Sequence, residues 1–276
     1  MEEKEFNLTN ENYHSQEARV RYMGSSMFKN FLKCEKEALM LIKGEIEEKS
    51  STALLFGGYV DAYFSNELDS FIAAHPDMFT KQGTLKSDFK NAENVIKAIE
   101  EDEMLMKYLD GEKQVIMTGE ISGVPFKIKM DAYHPNKLIV DQKIMRDLEP
   151  VWIEEDGRNV KVDFVYAYRY DIQGAIYQEI ERQHHLRETG EDRKLPFVLA
   201  VTTKEDVPDK LLMKIDQEYL DLALEEVKAK APRYWAIING EIEPVGCGHC
   251  GACKKDKKVT GVMSYKKLYK EKEELE

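Results

Sequence analysis

The first hundred residues carry apolar positions at three- and four-residue intervals, the spacing of amphipathic helices. Ser25 and Ser26 are good N-caps for a helix that continues to Leu41. Two more helices are predicted, over about 51–64 and 88–109. The opening of the chain is therefore predicted to be helical.

The period then changes to that of β-strands. Three short stretches are rich in β-branched and aromatic residues and are separated by turn residues, which predicts a meander of strands over 113–120, 124–133 and 137–144. Apolar and polar residues alternate along the second stretch. This alternation places Asp131 on the polar face at the end of its strand.

The remaining elements are predicted as a long helix, a buried strand and a further helix, over 162–187, 197–202 and 216–238. The order of helices, antiparallel strands, helix, strand and helix predicts an α/β fold with a mixed sheet covered by helices. We predict one domain over 1–276, with a helical part, a part with the catalytic sheet and helix, and a part with the last helix and the cysteine tail: 1–110, 111–204 and 205–276.

Composition and charge narrow the functional classes. Hydrophobic residues make up 42% of the 276 residues, which is typical of a globular protein. No apolar stretch approaches the roughly 20 residues of a membrane span, and the acidic, polar N-terminus is unlike a signal peptide, so a cytoplasmic protein is expected. The net charge of −12 does not exclude DNA as a partner, because a carboxylate metal site can coexist with a local basic track.

Asp131, Asp141 and Lys143 form the most informative constellation. Asp141 and Lys143 lie two residues apart, so they point to the same side of one strand, and the turn at Pro135 and Asn136 can bring Asp131 beside them. Two carboxylates can hold Mg²⁺ or Mn²⁺ for phosphodiester hydrolysis, and a lysine can steady the developing charge. Each residue alone is more often an exposed surface residue. Asp141, however, follows an apolar run where an unpartnered carboxylate is costly.

At these residues the chain resembles the PD-(D/E)xK nuclease superfamily, in the branch of the RecE, RecB and lambda-exonuclease nuclease domains. The resemblance implies a restriction-endonuclease-like core and a metal-dependent DNA exonuclease of the phage or prophage recombination type. Its motifs follow the family's order: FGGYVDAYF at Phe56–Phe64, Asp131 in FKIKMDAY, Asp141-Gln142-Lys143 in LIVDQKI, and Gln173–Tyr177 on the next helix.

The resemblance assigns roles to single residues. Asp131 and Asp141 correspond to metal ligands, the backbone carbonyl of Gln142 to a further ligand, and Lys143 to the catalytic lysine. Asp61 falls where many members of the branch have a metal-binding histidine. An aspartate can also ligate Mg²⁺ through oxygen, so Asp61 is included among the predicted ligands.

The predicted helix after the strands carries a second set of candidates. Arg169, Gln173 and Tyr177 recur every four residues, which predicts one shared helix face. The resemblance implies a catalytic or DNA-facing role for Gln173 and Tyr177, and a weaker one for Arg169. Glu120, at the end of the first predicted strand, is an additional candidate carboxylate for the metal site. The alternative, that Glu120 is an ordinary exposed residue at a strand end, has at least equal weight.

All four cysteines fit one scheme, with Cys34 on the first helix and Cys247, Cys250 and Cys253 in the segment CGHCGAC. Three closely spaced cysteines and a remote fourth can surround one centre. The arrangement resembles the iron-sulfur staple of AddB-type and CRISPR-associated members of the superfamily, which implies a [4Fe-4S] cluster. Zinc on four thiolates, or on three with His249, and free thiols stay open. A bound metal would tie the C-terminal tail to the N-terminal helix.

Two other functional classes stay open beside the exonuclease. A catalytically silent DNA-binding or scaffold module would keep the fold without turnover. Asp61, at the position where the family has a histidine, is the residue that favours this alternative. A cysteine-based redox protein would leave the carboxylates unexplained. For the exonuclease, the resemblance implies DNA as a partner, with a single-strand annealing recombinase as a candidate second partner. The sequence leaves the oligomeric state open, with a homo-oligomer as one alternative.

Overall fold

The computed structural model describes residues 6–47, 51–155, 157–255, 257–262 and 264–265. Its helices are α1 (Gln16–Arg21), α2 (Ser25–Lys33), α3 (Glu35–Ile42), α4 (Thr52–Phe64), α5 (Leu68–Ala74), α6 (Asn91–Glu100), α7 (Glu103–Leu109), α8 (Phe164–Ala167), α9 (Tyr170–Thr189), α10 (Gln217–Ile238) and α11 (Gly251–Lys255), with two 3₁₀ turns at Pro76–Met78 and Ser87–Phe89. Its strands are β1 (Glu112–Ile121), β2 (Val124–His134), β3 (Leu138–Met145), β4 (Val151–Glu155), β5 (Arg158–Val162), β6 (Phe197–Thr203) and β7 (Lys210–Lys214). In the part of the chain that the structure describes, no helix has the length and apolar character to cross a membrane.

A five-stranded mixed sheet in the order β1-β2-β3-β6-β7 forms the centre of the fold. Strands β3 and β6 are parallel, and every other neighbouring pair is antiparallel. Strands β4 and β5 form a separate hairpin. The predicted α/β class with a mixed sheet and an N-terminal helical segment is confirmed.

Helices cover both faces of this sheet. On one face, apolar side chains of α2, α9 and α10 pack against buried strand residues such as Ile139 and Leu199. On the other face, α4, α6 and α7 pack against Val140 and Ala200. Neighbouring residues of β3 and β6 therefore point into different helical layers, which explains why these two strands are apolar almost throughout.

The predicted first helix and the predicted helix over 88–109 are each two helices. Cys34 is extended (φ −165°, ψ 112°), ends α2 and begins α3, and the N-cap of α2 is Gly24 rather than a serine. Asp102 separates α6 from α7, because its carboxylate accepts hydrogen bonds from the N–H groups of Met104 and Leu105. The apolar period continues across both breaks and does not reveal them.

The predicted helix over 162–187 starts too early. The chain first completes the β4–β5 hairpin and the short helix α8, and α9 begins only at Tyr170. Arg169 at this corner is left-handed, with φ 53°. The sequence analysis also missed β4, β5 and β7, which are only five residues long each and contain no fully buried residue.

Candidate active site and cysteine cluster

Strands β2 and β3 separate at the predicted carboxylates. Their antiparallel pairing ends at Ala132 and Val140, and the next residues in register are Asp131 and Asp141. Instead of a main-chain pair, the N–H of Gln142 donates to Asp131 Oδ2 at 2.8 Å. The two carboxylates therefore lie where the strands open into a fork.

The backbone of β2 is irregular at the same place. Met130 and Tyr133 belong to the same hydrophobic cluster although they are three residues apart, which a regular strand does not allow. On the neighbouring strand, Gln114 is left-handed (φ 50°), and the β1–β2 pairing omits Gln114 and Asp131. Gln114 Nε2 donates to Ser65 Oγ at 2.9 Å. Irregular strand geometry of this kind re-aims side chains at functional sites.

Asp141 is the most deeply buried carboxylate of the fork, with 2% of its surface exposed. Its Oδ1 accepts a hydrogen bond from Gln173 Nε2 at 2.6 Å, and its Oδ2 forms an ion pair with Lys143. Lys143 Nζ also donates a hydrogen bond to the carbonyl oxygen of Gln142 at 3.4 Å. The lysine thus contacts two groups that the sequence predicts as metal ligands.

The charges of the fork shift one another. Burial raises the pKa of Asp131 well above its ordinary value, and the negative charges of Asp141 and Asp61 raise it further. Burial also raises the pKa of Asp61, although Lys143 and Lys129 oppose this. Burial would lower the pKa of Lys143, but Asp141 and Asp131 hold it above its ordinary range. The cluster combines a protonated lysine with carboxylates that repel one another.

The donor set suits a hard divalent cation. Carboxylate and carbonyl oxygens are the ligands that Mg²⁺ and Mn²⁺ prefer, and a cation would relieve the repulsion between the carboxylates. Asp61, on α4, contributes its charge from the helical layer that packs against β3. The carboxylate oxygens of Asp61, Asp131 and Asp141 are more widely spread than a closed ligand set, because only the cysteines among the described residues have ligand atoms all within 4.8 Å.

Helix α9 supports the fork from one side. Gln173 contacts Asp141 directly, whereas the buried Tyr177 donates from its hydroxyl to the carbonyl oxygen of Lys129 at 3.0 Å. Tyr177 therefore fixes the backbone of β2 two residues before Asp131. Both residues stay predictions as catalytic groups. Their contacts are those of residues that position the carboxylates.

Two weaker candidates lie elsewhere. Arg169 precedes α9 and is not on its helical face, and its guanidinium pairs with Asp171 and Glu226 at 3.0 and 2.6 Å. Glu120 is exposed near the far end of β1, opposite Pro125, and its carbonyl oxygen accepts from Gln183. Arg169 thus lies at the left-handed corner before α9, where it pairs with carboxylates outside the fork. Glu120 lies near the opposite end of β1 from the residues that face the fork.

Lys29 and Tyr170 were missed by the sequence analysis. The Tyr170 ring centre lies 5.3 Å from Lys143 Nζ and 5.4 Å from Lys29 Nζ. Lys29 comes from α2, far from the motif residues in sequence, so no spacing points to it. Tyr170 lies three residues before Gln173, and this helical spacing was the one signal that could have pointed to it.

The four cysteines meet beside α3 and α11. The Sγ of Cys34 lies 3.6 Å from that of Cys253 and 3.7 Å from that of Cys250, and the Sγ atoms of Cys247 and Cys253 are 3.9 Å apart. All four Sγ atoms lie within 4.8 Å of one another, so the cluster could hold a metal ion or an iron-sulfur centre. The predicted convergence of one early and three late cysteines is confirmed.

Backbone N–H groups point at the sulfur atoms. Those of His249 and Cys250 donate to Cys247 Sγ at 3.4 and 3.3 Å, and that of Cys253 donates to Cys250 Sγ at 3.4 Å. These bonds lower the pKa of Cys247 to about 6, which favours the thiolate. His249 is exposed and its ring is outside the group of ligand atoms, so the three-cysteine site with His249 receives no support.

Glu35 connects the cysteine cluster to the rest of the fold. Its carboxylate accepts two hydrogen bonds from Arg233 of α10, at 2.8 and 2.9 Å, and one from the N–H of Val245 at 2.8 Å. Val245 is two residues before Cys247. Glu35, directly after the first cysteine, therefore anchors the segment that carries the other three.

The helix-covered mixed sheet with carboxylates and a lysine at its fork defines a PDDEXK-like protein. Residues 24–256 match the family described as "PDDEXK-like domain of unknown function (DUF3799)", and the chain belongs to this family.

A crystal structure from Eubacterium rectale, of a protein described as "Putative exonuclease", is similar over 96% of this chain and 98% of that one, with 43% identity and a TM-score of 0.86. A second structure, described as SSO0001, matches 74% of this chain and 85% of its own at 13% identity, and its TM-score of 0.26 is too low to indicate a shared fold. Among curated proteins, none matches this chain significantly.

Proposed function

We propose that this chain is a deoxyribonuclease that depends on Mg²⁺ or Mn²⁺ and removes nucleotides from the ends of linear DNA. The observation that carries the proposal is the fork, where Asp131, Asp141 and Lys143 come together with the carbonyl of Gln142. Membership of a PDDEXK-like family and the similar protein from Eubacterium rectale, described as a "Putative exonuclease", support the same activity.

Each residue of the fork has a role in this proposal. Asp131, Asp141 and the Gln142 carbonyl would hold the cation, with Asp61 as a further oxygen donor from α4. When bound, the cation supplies a water of lowered pKa and neutralises negative charge on the phosphate. Gln173 holds Asp141 Oδ1, so that the carboxylate keeps one orientation as its other oxygen changes partner.

Lys143 acts as a fixed positive charge in this proposal. Asp141 and Asp131 keep its pKa above the ordinary range, so the ammonium stays protonated at neutral pH and cannot take a proton from water. Its N–H groups can donate to a phosphate oxygen, where they stabilise the charge that develops as the phosphodiester bond breaks. The same ammonium offsets the charge of Asp141 before the substrate arrives.

We propose that the four cysteines hold a single zinc ion rather than the iron-sulfur cluster that the superfamily resemblance implies. A tetrahedral site with Zn–S bonds of about 2.3 Å has sulfur atoms about 3.8 Å apart. Three of the six sulfur separations, at 3.6, 3.7 and 3.9 Å, are close to this value, and all six lie within 4.8 Å. In a four-iron cluster each cysteine binds a different iron, and the sulfur atoms stand further apart.

Elemental analysis and absorption spectra of protein purified without oxygen test the zinc proposal. One zinc per chain in colourless protein is expected. Brown protein with stoichiometric iron and broad absorption near roughly 400 nm would restore the iron-sulfur assignment.

We propose a cytoplasmic setting, because a reducing compartment keeps the four thiols free of disulfides.

Digestion of linear and of covalently closed circular duplex DNA tests the exonuclease proposal. Wild-type protein should degrade the linear form with Mg²⁺ or Mn²⁺ and leave the circle intact. In EDTA it should cleave neither form. Nicking or linearisation of the circle would identify an endonuclease instead. Binding of DNA without any cleavage would support the silent binding module. End-labelled DNA then gives the polarity, and a single-strand annealing recombinase is the proposed partner for the product.

A further inference from the structure

Two tyrosines form a path from the fork to the surface. The Tyr170 ring lies 5.3 Å from the Nζ of Lys143, and the rings of Tyr168 and Tyr170 are 5.8 Å apart, tilted by 39°. Tyr170 is half-buried, whereas 46% of the Tyr168 surface is exposed. The outermost ring of the path is therefore partly exposed to solvent and is connected to the proposed catalytic lysine through one further ring.

The corner that presents these rings is held in an unusual conformation. Arg169, between them, is left-handed, which is uncommon for a residue with a side chain. Its guanidinium is fixed on both sides, by Asp171 of α9 and by Glu226 of α10. Because three elements meet at this corner, the rings of Tyr168 and Tyr170 keep their spacing. Strained residues that the surroundings hold in place are typical of binding sites.

A second cation lies beside the path. Lys29 Nζ is 5.4 Å from the centre of the Tyr170 ring and donates to the carbonyl oxygen of Tyr168 at 3.3 Å. Lys29 and Lys143 therefore both place positive charge beside the Tyr170 ring. Aromatic rings with cations beside them suit a single strand of nucleic acid, because the rings can stack on bases and the cations can contact phosphates.

We infer that Tyr168 stacks on an unpaired nucleobase of the DNA strand whose phosphate lies at Lys143. The inference rests on the proposed nuclease function. A base within a duplex is covered on both faces by its neighbours, so the occupant with a free face is a base at a frayed end or in a single strand. In this arrangement Lys29, which donates to the carbonyl oxygen of Tyr168, would add positive charge beside the same strand. The preferred substrate is then a DNA end with unpaired nucleotides.

Fluorescence of 2-aminopurine tests the stacking directly. The probe is a short single strand and a duplex with unpaired ends, each with 2-aminopurine at one of the terminal positions, mixed with the full-length protein without added divalent cation. Stacking on an aromatic ring quenches this base. Wild-type protein should quench it at one position near the end. Tyr168→Ala should abolish the quenching and weaken binding roughly 5- to 140-fold.

Three variants keep the test specific. Tyr168→Phe and Tyr168→Trp retain an aromatic face and should retain both quenching and affinity. Tyr219→Ala removes a similarly exposed tyrosine from α10 and should match wild type. With Mn²⁺ present, Tyr168→Ala should raise KM on ends with unpaired nucleotides much more than it lowers kcat.

The inference and the proposed function fail in different ways. Wild-type protein that cleaves DNA, with Tyr168→Ala equal to it in quenching, affinity and KM, would overturn the stacking role and leave the nuclease intact. Wild-type protein that quenches at no position would also overturn the stacking role. Wild-type protein that neither binds nor cleaves any DNA would overturn the proposed function itself.

Discussion

At the scale of single residues, Lys143 has the best-defined role. Two carboxylates keep it charged, and it contacts Asp141 and the Gln142 carbonyl. Removal of a charge aimed at a developing oxyanion costs roughly 100- to 1000-fold in kcat. We therefore expect Lys143→Ala to reduce kcat by that factor with little change in DNA affinity. Lys137→Ala, at an exposed turn lysine, is the matched control. An unchanged kcat in Lys143→Ala would remove the lysine from the mechanism.

Proton release on cation binding is also a residue-scale property. The raised pKa values of Asp131 and Asp61 mean that these carboxylates keep protons to higher pH than ordinary ones. A cation must displace those protons, so affinity for Mn²⁺ should increase with pH and each binding event should release protons. Calorimetric titration in two buffers of different ionisation heat measures this release. Identical heats in both buffers, with affinity independent of pH, would contradict it.

At the scale of elements, α9 must approach the sheet closely to bring Gln173 to Asp141. A Cβ on Gly174 would lie 2.7 Å from Phe197 and 2.9 Å from Leu220, and both of these side chains are fully buried. Gly174→Ala should therefore destabilise the fold by roughly 1–3 kcal/mol through overpacking and reduce kcat as Gln173 moves.

Gly57→Ala on α4 is the control for this prediction. A Cβ there meets nothing within 4 Å, and alanine favours helix, so the variant should be as stable as wild type or up to about 1 kcal/mol more stable. Denaturant unfolding with initial cleavage rates measures both variants. Equal stability and rates for Gly174→Ala and Gly57→Ala would show that the approach of α9 is not restrictive.

Helix α3 has a comparable role at the cysteine cluster. The pKa of Glu35 is lowered by the hydrogen bond with Arg233, while burial opposes this and the N–H of Val245 adds to it. At any pH above the ordinary carboxyl pKa, the ionised Glu35 carboxylate therefore stabilises the tail in full. This contribution is lost as the pH falls through the lowered pKa of Glu35. We expect Glu35→Gln to lose its metal to a competing chelator faster than wild type. Glu37→Gln, on the same helix, removes the same charge; equal rates in both variants would exclude an anchoring role for Glu35.

Element by element, the sequence predicted what periodicity encodes. The bounds of β1, β2, β3, β6, α4 and α10 follow from their own residues, through alternation, a short continuous apolar run or the helical period. The breaks at Cys34 and Asp102 could not be predicted, since the apolar positions continue across them. The fork at Asp131 and the corner at Arg169 depend on irregular backbone held by contacts from distant elements, such as Glu226 on α10. Lys29 reaches the site only through the packing of α2.

At the scale of the whole molecule, the cysteine cluster connects the beginning of the chain to its end. Cys34 precedes the sheet and the other three cysteines follow it, so a bound ion closes a long loop. We propose that residues 1–276 unfold as one domain, which predicts one calorimetric transition. Removal of the cysteine-bound metal should lower its midpoint, by roughly 2–4 °C for each kcal/mol lost. Two separate transitions in the metal-loaded protein would contradict the single domain.

The central claim, that the fork is a metal-dependent nuclease site, is tested most directly by comparing wild type with Asp141→Asn. Asparagine keeps the size of the side chain and can still accept a hydrogen bond from Gln173, but it lacks the charge that binds a cation. Initial rates on linear DNA with Mn²⁺ should fall at least roughly 100-fold in Asp141→Asn, with DNA binding retained, while Asp77→Asn, at an exposed aspartate outside the fork, matches wild type. Cleavage by Asp141→Asn at the wild-type rate would contradict the claim.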